Sequence, residues 1–183
     1  MRGKFGQSGF TLVEVLLVML VILLIQGLAL PEFKRLISAT RVNAASNSLF
    51  SALMLARSEA INRHSRAVIC KSADGLVCTK SSTWGQGWII FNDADNNGEV
   101  DAGETVLESQ PKLADVIRVS GNGPISSYVS YTPLGATAYV SGAFQAGTFT
   151  ICDLSGSTEQ VRQIVISGSG RPRTLSTTSA KCL

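Results

Sequence analysis

Gly9-Phe10-Thr11-Leu12-Val13-Glu14 opens a run that continues to Leu30 as FTLVEVLLVMLVILLIQGLAL. Only Thr11, Glu14, Gln26 and Gly27 interrupt these apolar residues. At 1.5 Å per residue, a helix over 10–30 is roughly 30 Å long, the hydrocarbon thickness of a bilayer. Residues 1–9 are polar, with Arg2 and Lys4 and no acid. A secretory signal has a shorter apolar stretch followed by a small-residue cleavage site, and neither is present here. The segment therefore reads as a single transmembrane anchor, with Arg2 and Lys4 holding the N-terminus in the cytoplasm.

Glu14 does not fit a plain anchor. A carboxylate in hydrocarbon is costly and marks a functional site by default. No basic residue lies within helical reach of it inside the run. A cut after Gly9 would leave a new amino group on Phe10, one helical turn from Glu14. A second copy's amino group could reach it too.

On these residues the chain resembles the type IV pilins and type II secretion pseudopilins, whose prepilin motif is similar to Gly9-Phe10-Thr11-Leu12-Val13-Glu14. The resemblance implies that a prepilin peptidase cuts after Gly9 and that Phe10 is then N-methylated. It implies that Glu14 aids assembly by pairing with a neighbouring subunit's amino terminus. Pro31 sits near the place where helices of this family often bend. Residues 55–63, LARSEAINR, resemble the helix end of the GspH/FimT branch of the superfamily.

Composition agrees with an anchor on a globular body. Charged residues are 16% of 183, mean hydropathy is +0.23, and net charge is +3. Nucleic-acid binding would thus need a local patch rather than bulk charge. One histidine and four scattered cysteines disfavour a His-based metal site or a zinc ribbon. No nucleophile–base set and no phosphate loop is present, so the chain reads as no enzyme. Beyond the anchor, Val42, Ala45, Leu49, Ala52, Leu53, Ala56 and Ala60 recur at helical steps and form one apolar face. Short β-rich runs then alternate with Gly- and Ser-rich turns: 66–71, 88–91, 105–107, 116–120, 128–131, 148–152 and 161–167. The expected organisation is a leader over 1–9, a transmembrane helix over 10–30, its amphipathic continuation over 31–63 and a β-rich domain over 66–183. The fold class is α+β, a long N-terminal helix packed on an antiparallel β-sandwich.

Residues 93–104 fit the calcium-loop pattern D-x-[DN]-x-[DN]-G-x5-E. Asp93, Asp95, Asn97, Asp101 and Glu104 are the candidate ligands, and Gly98 supplies the turn. Six of the 13 acids lie between Asp93 and Glu108. Strand-like flanks replace the helices of an EF-hand, so the alternative is a hairpin loop rich in Asp and Asn with its carboxylates in water. Cys70, Cys78, Cys152 and Cys182 make an even count, which in an exported chain suggests two disulfides. Of three connectivities, the turn at Asp74-Gly75 favours Cys70–Cys78, leaving Cys152–Cys182.

From Arg162 to Leu183 the cations Arg162, Arg171, Arg173 and Lys181 face a single acid-free stretch. Gly170-Arg171-Pro172-Arg173 resembles the GRxR motif of DNA-binding minor pilins in the same branch. That likeness implies that Arg171, Arg173 and Lys181 contact double-stranded DNA during natural transformation. The resemblance as a whole implies a minor pilin or pseudopilin, placed in the inner membrane with its globular domain in the periplasm and then in a filament. Its partners would be prepilin peptidase, the other pilins or pseudopilins, the membrane and DNA. The alternative is a purely structural type II secretion pseudopilin that binds no DNA.

Overall fold

The computed structural model describes residues 9–156, 160–177 and 182, in two compact units, Met1–Ile37 and Ser38–Leu183. Helix α1, Leu12–Arg63, contributes to both and carries Pro31 inside it. Its part in the first unit exposes apolar side chains on every described face, among them Leu16, Leu20 and Leu24. This stretch is long and apolar enough to cross a membrane. The helix ends at His64, whose φ of 52° is the left-handed conformation that stops a helix.

In the second unit, α1 buries the predicted stripe, Val42, Ala45, Leu49, Ala52, Leu53, Ala56 and Ala60. Eight strands follow among the described residues: β1 Arg66–Lys71, β2 Trp88–Asp93, β3 Val106–Gln110, β4 Ile117–Gly121, β5 Tyr128–Tyr131, β6 Gly147–Asp153, β7 Val161–Ile166 and β8 Pro172–Thr177. They form two four-stranded sheets, β3-β2-β1-β5 and β4-β6-β7-β8, antiparallel throughout. Period-two alternation decides which side chains meet the helix. Ala67 and Ile69 of β1, with Trp88 and Ile90 of β2, join the main core. Val68, Cys70, Ile89 and Phe91 form a second cluster on the opposite face. The other sheet contributes Val119, Phe149, Ile151 and Ile164 to the main core, so one helical stripe serves both sheets.

β8 is absent from the sequence reading. Its residues, PRTLST, show no apolar alternation, and all but Pro172 and the half-buried Thr177 are exposed. It is an edge strand, held by its register with β7, from Val161 opposite Thr177 to Ile166 opposite Pro172. Pairing, rather than burial, makes it a strand. β2 also runs two residues further than expected, which places Asp93 at a strand end.

Polar ties also hold the helix. Ser38 Oγ donates to Asp153 Oδ2 at 2.5 Å, and Arg162 Nε donates to Asn43 Oδ1 at 2.8 Å. Ser48 Oγ likewise donates to Gln110 Oε1 at 2.8 Å, and Arg57 Nε donates to the Gly135 carbonyl at 2.9 Å. Burial pushes the Asp153 carboxyl up. Hydrogen bonds from Ser155 and Ser38 and the charge of Arg41 outweigh that and hold it below its ordinary value.

The structure pairs Cys70 with Cys78 and Cys152 with Cys182, with Cα separations of 5.6 and 6.0 Å. The two bonds close loops of 8 and 30 residues. Chain entropy assigns about 2–3 kcal/mol to the shorter loop and about 3–4 kcal/mol to the longer one. Replacing Cys152 and Cys182 by Ser should therefore lower the urea midpoint more than replacing Cys70 and Cys78. Non-reducing peptide mapping that joined Cys70 to Cys182 would contradict the arrangement.

Candidate functional site

At the N-terminus, Glu14 has a partner that the sequence reading overlooked. The Thr11 amide and hydroxyl donate to Glu14 Oε2 at 2.9 and 3.0 Å, and the Glu14 amide donates back to Thr11 Oγ1 at 3.3 Å. This is a capping box, and its signature Thr-x-x-Glu is legible in Thr11-Leu12-Val13-Glu14. The search for a basic partner missed it. In the single chain the carboxylate already satisfies the helix start. Gly9 and Phe10 precede the helix and are exposed.

The acidic loop lies between β2 and β3. Carboxylate oxygens of Asp93, Asp95 and Glu104 come within 4.8 Å of one another. Asp101 stands outside that group, and Asn97 turns its amide nitrogen toward Asp95 and Asp101. Backbone donors fill much of the carboxylate capacity. Asp93 accepts from the amides of Asn97 at 3.0 Å and Gly98 at 3.2 Å. Glu104 accepts from Ala94 at 2.8 Å and Asp101 at 3.2 Å. Burial pushes the Asp93 carboxyl above its ordinary value against these amide bonds, and the charges of Glu104 and Asp95 push the same way. The flanks are strands, so the helix–loop–helix frame of an EF-hand is absent among the described residues.

The basic turn lies between β7 and β8. Gly170 donates its amide to the Ser167 carbonyl at 2.8 Å and takes φ +73°. A side chain there would be strained, and its Cβ would collide with the Gly135 carbonyl oxygen. That same oxygen accepts from Arg57 Nε. Arg57 on α1 and Gly170, the residue before Arg171, therefore meet at one carbonyl. Arg171 and Arg173 are both exposed, with Pro172 buried between them. Arg171 precedes β8. Arg173 sits within it, opposite Val165. Lys181 lies outside the described residues.

The segment that braces this turn, 132–146, carried no sequence signal. Thr137 Oγ1 donates to the carbonyls of Gln145 at 2.6 Å and Ser167 at 3.2 Å, and the Thr137 amide donates to Gly168 at 3.2 Å. The fully buried Gln145 side chain accepts from the Ser130 amide at 3.0 Å. It donates to Pro124 and Tyr128 carbonyls at 3.0 and 2.9 Å. Arg66 donates to Ser130 Oγ and to the Ala138 carbonyl. A glutamine inside the loop AFQAG gives no hint of such a role, because its partners lie on other elements.

A family model described as type II transport protein GspH matches residues 45–170, and a prokaryotic N-terminal methylation motif matches residues 4–29. Among solved structures, the chain is similar to the type IV minor pilin FimU of Pseudomonas aeruginosa PAO1. That match has 23% identity and a TM-score of 0.57 over 78% of this chain and 92% of that one. It is also similar to the minor pseudopilin EpsH of the Vibrio cholerae type 2 secretion system, with 12% identity and a TM-score of 0.52 over 74% and 96%. At these identities the two structures speak for the fold alone. No curated protein matches the chain in sequence.

Asp93 is the testable centre of the acidic loop. Asp93→Ala strips the buried Gly98 amide of its acceptor, removes one of two acceptors from the Asn97 amide, and should cost about 1–3 kcal/mol in chemical unfolding. Asp93→Asn keeps one carbonyl oxygen and removes a charge that burial disfavours, so it should cost clearly less. Equal losses would mean that the carboxylate does not close the loop.

Proposed function

The chain belongs to the family of the type II transport protein GspH, and from that premise we propose that it presents a DNA-binding turn on a filament subunit. The coarser identity is a pilin-like structural subunit, a minor pilin or pseudopilin of a type IV pilus or type II secretion system, and no enzyme. The finer reading is double-stranded DNA contact through Gly170-Arg171-Pro172-Arg173 in natural transformation. The observation that carries it is the pair of exposed arginines at the start of β8, beside a turn fixed by the Gly170–Gly135 approach. Residues 132–147 and 161–177, which surround it, contain no Asp or Glu. Arginine forks bind phosphate oxygens in pairs, and a fixed turn loses little entropy in presenting them.

Assembly belongs to the same proposal. Prepilin peptidase cuts after Gly9 on the cytoplasmic side, Phe10 becomes the methylated N-terminus, and the anchor holds the globular unit on the periplasmic side of the inner membrane before filament entry. Glu14 would then exchange its capping bonds for a neighbour's amino terminus. Two substitutions separate these roles. Glu14→Gln keeps an acceptor for the cap but loses the charge. If charge pairing drives assembly, Glu14→Gln and Glu14→Ala should both insert in the membrane and both fail to enter filaments. Normal assembly of Glu14→Gln would reduce Glu14 to a capping residue. Mass spectrometry of assembled material should show a methylated Phe10 start, and an intact Met1 start would contradict the processing step.

DNA contact is tested by gel shift of the full chain in non-ionic detergent at two salt concentrations. Binding should be independent of sequence and fall steeply with salt, because phosphates supply the contacts. Arg171→Gln with Arg173→Gln should remove most of it and lower the salt slope by about 2. Lys at both positions should retain part, since charge survives while the fork is lost. Equal binding by the double Gln variant would leave the chain a purely structural subunit.

A further inference from the structure

Phe144 is 70% exposed although it sits on a well-braced segment. Tyr139 N donates to Ala143 O at 2.8 Å and Gly142 N to Tyr139 O at 2.9 Å, and Ala138 bridges to Phe144. The next residue is the buried Gln145. The ring is thus held out by its frame. One ring edge, carrying Cδ2, Cε2 and Cζ, lies so close to Gly168 that any side chain there would overlap it. Gly168 belongs to the turn that bears Arg171, with the exposed Ser167 and Ser169 on either side. The Phe144 ring therefore packs against the turn that leads into Arg171, and Arg57 binds the same 132–146 segment through the Gly135 carbonyl.

This combination suits one class of ligand. Duplex DNA hides its base faces and offers phosphates, for which Arg171 and Arg173 suffice. A single strand offers phosphates together with stackable bases, and aromatic side chains beside cations are what such strands use. The absence of Asp and Glu from 132–147 and 161–177 makes the surroundings complementary to a polyanion. Resting on the DNA reading above, we infer that Phe144, Arg171 and Arg57 form a face for single-stranded nucleic acid. The Phe144 ring stacks an unpaired base, and the arginines hold the flanking phosphates. Frayed or overhanging ends would then be preferred to duplex interior.

The test is fluorescence anisotropy with the full chain in non-ionic detergent, using a labelled oligothymidine and a duplex of equal length. Wild type should bind the single strand more tightly than the duplex. Phe144→Leu keeps apolar bulk without a π face, so it should weaken the single strand about tenfold and leave the duplex unchanged. Phe144→Tyr should restore the wild-type value, and Arg57→Gln should weaken both substrates. If Phe144→Leu binds the single strand like wild type, the stacking face is wrong, whereas duplex binding that Arg171→Gln with Arg173→Gln abolishes would leave the DNA reading standing. Failure of wild type on both substrates would overturn the two together. Filament entry lost in Phe144→Leu with single-strand binding intact would assign the ring to a subunit contact and overturn the inference.

Discussion

Burial of one helical stripe, Val42 to Ala60, is the constraint from which the globular unit follows. Four of its seven positions are alanine. Small side chains let a helix serve sheet residues from both sides, and here β1, β2 and β5 meet it together with β4, β6 and β7. The helix is tied by Ser38–Asp153 and Asn43–Arg162 to the sheet β4-β6-β7-β8, by Ser48–Gln110 to the sheet β3-β2-β1-β5, and by Arg57–Gly135 to the segment 132–146. These bonds fix the rotation of α1 about its own axis, so the same apolar side chains always face inward.

The last of those ties carries structure into function. Gly135 O receives Arg57 from the helix and leaves room for only a glycine at 170. Helix, loop and β7–β8 turn therefore meet at a single carbonyl. Gln145 and Thr137 lock the loop from behind, and Cys152–Cys182 ties the chain beyond β8 to the end of β6. The arginines are carried on the sheet edge of a braced assembly, which is why their presentation depends on residues far from them in sequence.

Much of this was legible from residue patterns. The 3.6-residue period gave the buried stripe residue by residue, since apolar periodicity reports burial directly. Strands with alternating or continuous apolar residues were found for the same reason. β8 was not, because an exposed edge strand with the composition PRTLST owes its form to β7 and leaves no apolar trace. Gln145, Thr137 and Arg57 were invisible in the same way: each acts through a partner on another element. Asp93 was seen as a metal ligand candidate, yet its place at the end of a strand and its amide partners depend on where β2 stops. Glu14 shows the opposite failure, since Thr-x-x-Glu was in plain view and the charge on the carboxylate drew attention away from its role as a cap.

The central claim is that Arg171 and Arg173 stand where a fixed turn enters β8 and not on a loose tail. Backbone 15N relaxation tests it most directly. The account predicts order parameters of about 0.85 through residues 167–173, equal to those of β6 and β7. Values below about 0.6 across the turn, beside rigid neighbouring strands, would contradict it.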